Sequence, residues 1–220
     1  MTKVDLSGNK LTKLRTILCT KLRQLVLDNN LISICEMGSH ATLQTLSANK
    51  NQLTSLAGFT NLSCLEVLNL AENKITTLEG IRCCNSLKKL NLQANLIVSF
   101  DTMPDLPALE EINFANCPIA KIGDLAKLIC YTNLNNINLT ETPLAEEMGE
   151  SLKKELLILL DGLKFKTING EEVTDEDITD AKQEKADRLK AAEEARIAAE
   201  EEAKAAAEEA AKAAAEGKDE

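Results

Sequence analysis

The pattern Leu-x-x-Leu-x-Leu-x-x-Asn-x-Ile-x-x-Leu recurs about every 22 residues along this chain and constrains its fold more than any other feature. The cleanest copy is Leu65, Leu68, Leu70, Asn73, Ile75 and Leu78. In register before it stand Leu22, Leu25, Leu27, Asn30, Ile32, Cys35 and then Leu43, Leu46, Ala48, Asn51, Leu53, Leu56. After it come Leu87, Leu90, Leu92, Asn95, Ile97, Phe100 and Leu109, Ile112, Phe114, Cys117, Ile119, Ile122. A last copy begins Leu134, Ile137, Leu139, Thr142, Leu144, and a clipped first copy runs Val4, Leu6, Asn9, Leu11, Leu14. The starts at 22, 43, 65, 87, 109 and 134 are spaced by 21, 22, 22, 22 and 25 residues. Each Leu-x-Leu is the alternation of a short strand with one buried face. The Asn falls where the chain leaves the strand, and its amide can satisfy backbone groups of a turn that would otherwise lie buried and unpaired. Cys117 and Thr142 replace it in the last two copies. No copy can bury its apolar face alone, so neighbours must stack on one shared core.

The pattern is identified as that of the leucine-rich repeat. The resemblance implies an α/β solenoid, a right-handed horseshoe of about seven repeats with parallel strands on the concave side. Phe59 with Leu62, Ile81 with Cys84, and Leu125 with Leu128 predict short convex helices or helical turns. Met1 already falls on the first repeat position, so the first strand is expected either to be shielded by something else or to be short. At the other end, residues 150–160 read as an amphipathic helix carrying Leu152, Leu156, Leu157, Leu159 and Leu160. Residues 163–174 then resemble the C-terminal cap of intracellular leucine-rich repeats, with Asn169 where that cap has Asp. Residues 1–174 are therefore expected to form one capped domain, and residues 175–220 a helical tail.

Charge divides the chain in the same place. Residues 1–174 hold 19 acidic and 17 basic side chains, whereas residues 175–220 hold 16 and 8. A nearly neutral repeat region and an acidic tail argue against direct nucleic-acid binding. The seven cysteines are scattered through repeat positions and odd in number, which predicts free thiols serving as small core residues in a reducing compartment. No signal sequence opens the chain and no run of about 18 apolar residues could span a bilayer, so an intracellular, soluble protein without a membrane partner is expected.

Thr174 with Asp177 forms a potential capping box at the start of the tail. From residue 175 to 216 there is neither Gly nor Pro, and Gly217 is the expected stop. Such a helix would be about 63 Å long. Between 191 and 215, 14 of 25 residues are Ala, the strongest helix former. Glu200, Lys204, Glu208, Lys212 and Glu216 alternate in sign at i, i+4. Only Leu189 and Ile197 are large and apolar beyond the first turns, too few for a coiled-coil seam. The tail is either a solvated, semi-rigid single helix or a docking helix laid against a neighbour, with Leu189 and Ile197 as its candidate contacts.

Signatures of catalysis are absent from the sequence. His40 is the lone histidine, the cysteines lack zinc spacing, and no phosphate loop or nucleophile elbow occurs. No enzyme activity, cofactor, metal or small-molecule substrate is expected. The strand positions facing away from the core supply the candidate surface. They are Val26, Ser47, Asn69, Asn91, Asn113 and Asn138, four of them an asparagine ladder, flanked by Val67, Lys89, Glu111 and Asn136. Either these amides bond to one another and to water, or they line a groove for a partner protein.

The 22-residue repeat, the intracellular cap and the missing Cys flanks resemble one subfamily. It holds the regulatory subunit of protein phosphatase 1, the spliceosomal A-prime protein, the acidic nuclear phosphoproteins and several axonemal proteins. A solenoid followed directly by a long charged helix looks most like the leucine-rich radial-spoke and related proteins of motile cilia. That resemblance implies a structural adaptor joining subunits of the cilium or flagellum axoneme. A phosphatase-binding subunit and a nuclear adaptor of the spliceosomal or acidic type are the alternatives.

Overall fold

The computed structural model describes residues 1–216 except 16, 18, 99 and 101–103, and the side chains of the last helix as far as residue 204, apart from 202. Gly217, the expected helix stop, and the side chains of Glu208, Lys212 and Glu216 lie outside the described residues. Each Leu-x-Leu forms a three-residue strand: β1 (Lys3–Asp5), β3 (Gln24–Val26), β5 (Thr45–Ser47), β6 (Val67–Asn69), β7 (Lys89–Asn91), β8 (Glu111–Asn113) and β9 (Asn136–Asn138). Short pieces β2 (Lys13–Leu14) and β4 (Ile34–Cys35) pair with each other on the opposite side of the stack. Among the described residues the main sheet runs β1-β3-β5-β6-β7-β8-β9-β10-β11, parallel throughout until its last pair. Those last strands are β10 (Thr167–Ile168) and β11 (Glu171–Glu172). The chain is a leucine-rich-repeat solenoid, and the registered leucines Leu25, Leu46, Leu68 and Leu90, with Ile112 and Ile137, fall on one buried line through its core.

The asparagines of the repeat pattern hold the turns. Asn73 donates through Nδ2 to the carbonyls of Leu70 in its own repeat and Ala48 in the repeat before, both at 3.0 Å, while its Oδ1 accepts from the Leu53 N–H at 3.0 Å. Asn30, Asn51 and Asn95 repeat this arrangement, and all four are buried. Each therefore sews two repeats together through groups that no water reaches. Cys117 keeps one thread of it, its Sγ donating to the Leu92 carbonyl at 3.3 Å. Thr142 does something else. Its Oγ1 donates to the Leu139 carbonyl at 2.7 Å and accepts from Ala145 N–H at 3.1 Å, capping helix α1 (Pro143–Met148). The residue preceding each turn side chain is left-handed: φ is 53–58° at Asn29, Lys50, Glu72, Ala94, Asn116 and Glu141.

On the convex side the choice between helix and turn falls to turns in most repeats. Around Phe59–Leu62 and Ile81–Cys84 the chain forms turns joined by a single bridge between Thr60 and Arg82, not helices. Gly58 and Gly80 show why. A Cβ on Gly58 would sit 1.3 Å from the Cys35 carbonyl oxygen, and one on Gly80 would sit 2.5 Å from Ala57 N. Backbone lies on backbone there, with no room for a cylinder about 10 Å across. The last interval, three residues longer, does house a helical segment, the 3₁₀ stretch Ile122–Cys130 that buries Leu125 and Leu128. The thiols also divide: Cys35, Cys84 and Cys117 are core residues, whereas Cys64, Cys83 and Cys130 are exposed, against the expectation that all fill the core. Burial pushes the Cys35 thiol up to about 12.

The end of the stack is covered by helix α2 (Ser151–Leu159), which buries Leu152, Leu156 and Leu157, and by the β10–β11 hairpin. Asn169 and Gly170 both have positive φ, 55° and 82°, as a two-residue hairpin turn requires. Asn169 also accepts the Leu139 N–H through Oδ1 at 2.7 Å, taking up a donor that the end of the solenoid would leave open. An Asp could accept that bond too, but Asn tolerates the left-handed turn without a buried charge.

Two substitutions test this account. Asn73→Ala strands the Leu53 N–H and two carbonyl contacts in the core and should lower stability by about 2–4 kcal/mol in urea unfolding. Ala94→Gly relieves a left-handed Ala and should leave the protein as stable or more so, by up to about 1 kcal/mol.

Candidate protein-interaction surfaces

The register places the sequence-predicted concave residues side by side. Val67, Lys89, Glu111 and Asn136 are direct neighbours on successive strands, and Val26, Ser47, Asn69, Asn91, Asn113 and Asn138 form the adjoining row. Their accessibility differs. Ser47 is buried, because its hydroxyl donates to Asp28 Oδ1 at 2.8 Å and accepts from Asn49 Nδ2 at 3.0 Å. Lys89 and Glu111 meet at 2.6 Å, and that hydrogen bond raises the Lys89 pKa. Both are substantially exposed, so the pair contributes little to stability.

The asparagine ladder turns out to be half structural. Of the two alternatives, amide-to-amide bonding within the ladder does not occur among the described residues. Instead, in three of the four, Oδ1 accepts the N–H two residues on: Gln93 to Asn91 at 3.1 Å, Ala115 to Asn113 at 2.9 Å and Thr140 to Asn138 at 3.0 Å. The same N–H column is capped in earlier repeats by Asp5 to Ser7, Asp28 to Asn49 and Asn49 to Ala71. Asp28 and Asn49 were not singled out in the sequence. Both sit two positions past the strand, and only their polar identity beside Asn29, Asn30 and Lys50 could have pointed to them.

Helix α3 (Asp175–Glu216) begins with the expected box: Asp177 Oδ2 accepts from Thr174 N at 2.8 Å, and Thr174 Oγ1 accepts from Asp177 N at 3.2 Å. Its first four turns lie against α2 along a seam lined by ion pairs. Lys153–Asp177 at 2.6 Å, Lys154–Glu184 at 3.2 Å and Lys185–Asp161 at 2.9 Å line the seam. Arg188 closes it with a two-pronged contact to Glu155, 2.6 and 2.9 Å, and a third bond to Glu184 at 3.1 Å. The apolar part is small, consisting of buried Ala181 and half-buried Ile178. Lys153 and the Thr174 N–H hold the Asp177 carboxyl down to about 2. Past Arg188 every described side chain of the helix is exposed, including Leu189 at 63% and Ile197 at 47%. Glu200 turns back to Arg196, at 3.8 Å.

His40 is buried in the convex segment of the second repeat, where Nε2 finds no hydrogen-bond partner among the described residues. No helix of the described residues is long and apolar enough to cross a membrane.

The family described as Leucine Rich repeats (2 copies) matches residues 41–83 and 65–107. No curated protein matches the chain in sequence. Among solved structures it is similar to the Drosophila melanogaster SNF/U2A′ complex, at 17% identity over 86% of each chain with a TM-score of 0.47. It is also similar to a leucine-rich-repeat protein of Leptospira interrogans, at 22% identity over 76% of this chain with a TM-score of 0.40, and spans 50% of that protein. The family model thus recognises the repeat over residues 41–107, and stacked repeats of this kind present extended surfaces.

The seam between α2 and α3 should respond to charge. Arg188→Glu is expected to speed amide exchange over residues 175–188, and adding Glu155→Arg should slow it again. Because the Asp177 pKa is depressed, its contribution is complete above about pH 4 and fades as the pH falls toward about 2, which acid-dependent exchange of the same amides would register.

Proposed function

We propose that this protein is a non-enzymatic scaffold that joins two partners, one on the concave sheet and one on the projecting helix. Residues 1–174 act as the recognition domain and residues 175–220 as the arm. The observation that carries this reading is the seam: four cation–carboxylate links from α2 and its end fasten an otherwise bare helix at a defined angle. A merely solubilising tail has no need of such a fastening. Beyond Arg188 the helix runs 28 residues further, about 42 Å at its ordinary rise. Contacts at Val26, Val67, Asn69, Asn91, Asn113, Asn136 and Asn138 then serve one partner, and Leu189 and Ile197 the other.

The setting proposed is the axoneme of a cilium or flagellum, in a radial-spoke or dynein-regulatory assembly. What supports it is the layout, a short solenoid continuing directly into a long charged helix. A rigid spacer with two ends suits a lattice whose subunits must be held at fixed separations.

Photo-crosslinkers placed singly at Val67, Asn113 and Ile197 of the full chain, expressed in ciliated cells, test the proposal. Spoke or dynein-regulator subunits are expected in the detergent-insoluble fraction, with different partners from the concave and tail positions. Crosslinks to a phosphatase catalytic subunit or a nuclear particle would refute the axonemal setting. One shared partner from both ends would refute the two-ended spacer.

A further inference from the structure

The side-chain oxygens of Asn91, Asn113 and Asn138 are each committed to a backbone N–H of their own turn. An amide whose oxygen is fixed has its nitrogen fixed too. These three nitrogens find no acceptor among the described residues, and neighbouring Leu90, Ile112 and Ile137 point into the core, so the amides face the concave solvent side. Beside them Asn69 makes no side-chain hydrogen bond among the described residues, and Lys89 is satisfied by Glu111. Asn91, Asn113 and Asn138 thus present three hydrogen-bond donors in a row, whose polarity cannot be reversed by flipping the amides, with the Lys89–Glu111 pair beside them.

We infer that the concave face takes an acidic helix from a partner protein, which rests on the reading of this sheet as a recognition surface. A row of N–H groups pairs with acceptors and leaves Lys or Arg opposite it unsatisfied. Carboxylates are the stronger acceptors, giving bonds roughly twice as strong as neutral ones. Spacing favours a helix over an extended strand. Adjacent strands lie about 4.8 Å apart, near the ~5–6 Å between i and i+4 side chains on a helix. An extended peptide presents same-side residues only every ~6.7 Å.

The test uses the full chain and two helical probe peptides of equal length, Ala-rich with Glu at every fourth position or with Lys at every fourth position. Fluorescence anisotropy at low salt gives affinity, and the asparagine side-chain NH₂ resonances report the contact. The Glu helix should bind and shift the Asn91, Asn113 and Asn138 amides, and the Lys helix should not. The variant Asn91→Asp with Asn113→Asp keeps both oxygens for the turn N–H groups but removes the donors. It should weaken the Glu helix at least about tenfold and admit the Lys helix. Equal binding of both peptides, or an unchanged Glu-helix affinity in the variant, overturns the inference. Concave crosslinks to a native partner alongside failure of the Glu helix also overturn it, while leaving the recognition surface standing. Glu-helix binding without concave crosslinks in cells upholds the donor row and removes only the proposed native use.

Discussion

Every repeat leaves the sheet through a bend whose carbonyls and N–H groups are sealed inside the stack, and a buried asparagine answers them. Asn30, Asn51, Asn73 and Asn95 each bind backbone of their own repeat and of the one before, so the turn of one repeat is incomplete without its neighbour. That makes the unit of stability the pair of repeats, not the single coil. The left-handed residue before each Asn, a costly conformation for Lys50 or Glu72, is held because the amide bonds depend on it. Leucine burial drives the stacking, but leucines alone do not fix which carbonyl lies beside which N–H.

The ends show how such a stack stops. As the asparagine gives way to Cys117 and then Thr142, the side chain makes fewer inter-repeat bonds, and at Thr142 it starts a helix. Asn169 then supplies the last solenoid strand with the acceptor that a further repeat would have brought. From this closed end the long helix is fastened by charge more than by apolar burial. A seam of partly exposed ion pairs sets direction without needing a large apolar core. The concave sheet and the projecting helix are therefore physically separable parts of one chain.

Much of the fold was legible because the repeat is written in residue type and spacing. The strand positions, the buried line of leucines and the role of Asn73 follow from periodicity and from the chemistry of an amide at a bend. The helices on the convex side did not follow, because whether six residues form a helix or a flat turn depends on the separation of neighbouring backbones, which Gly58 and Gly80 reveal only in three dimensions. Exposure of Cys64 and Cys83 was hidden for the same reason. The concave row was identified by alternation, yet Ser47 is spent inside the protein and Lys89 is paired, since both depend on partners about 20 residues away in the sequence.

Sequence by itself determined that the chain stacks: a period near 22 with an amide at each bend has no other way to bury its leucines and pair its turns. It also determined that residues 175–216 are helical, because alanine and the Thr174–Asp177 box act locally. Only the tertiary structure decided which side-chain groups remain available. The asparagine oxygens turn inward to the turn N–H groups and leave the nitrogens outward, a choice made by backbone geometry. The helix is fixed to α2 and its end by charges brought together across 24 to 33 residues, a juxtaposition no local pattern contains.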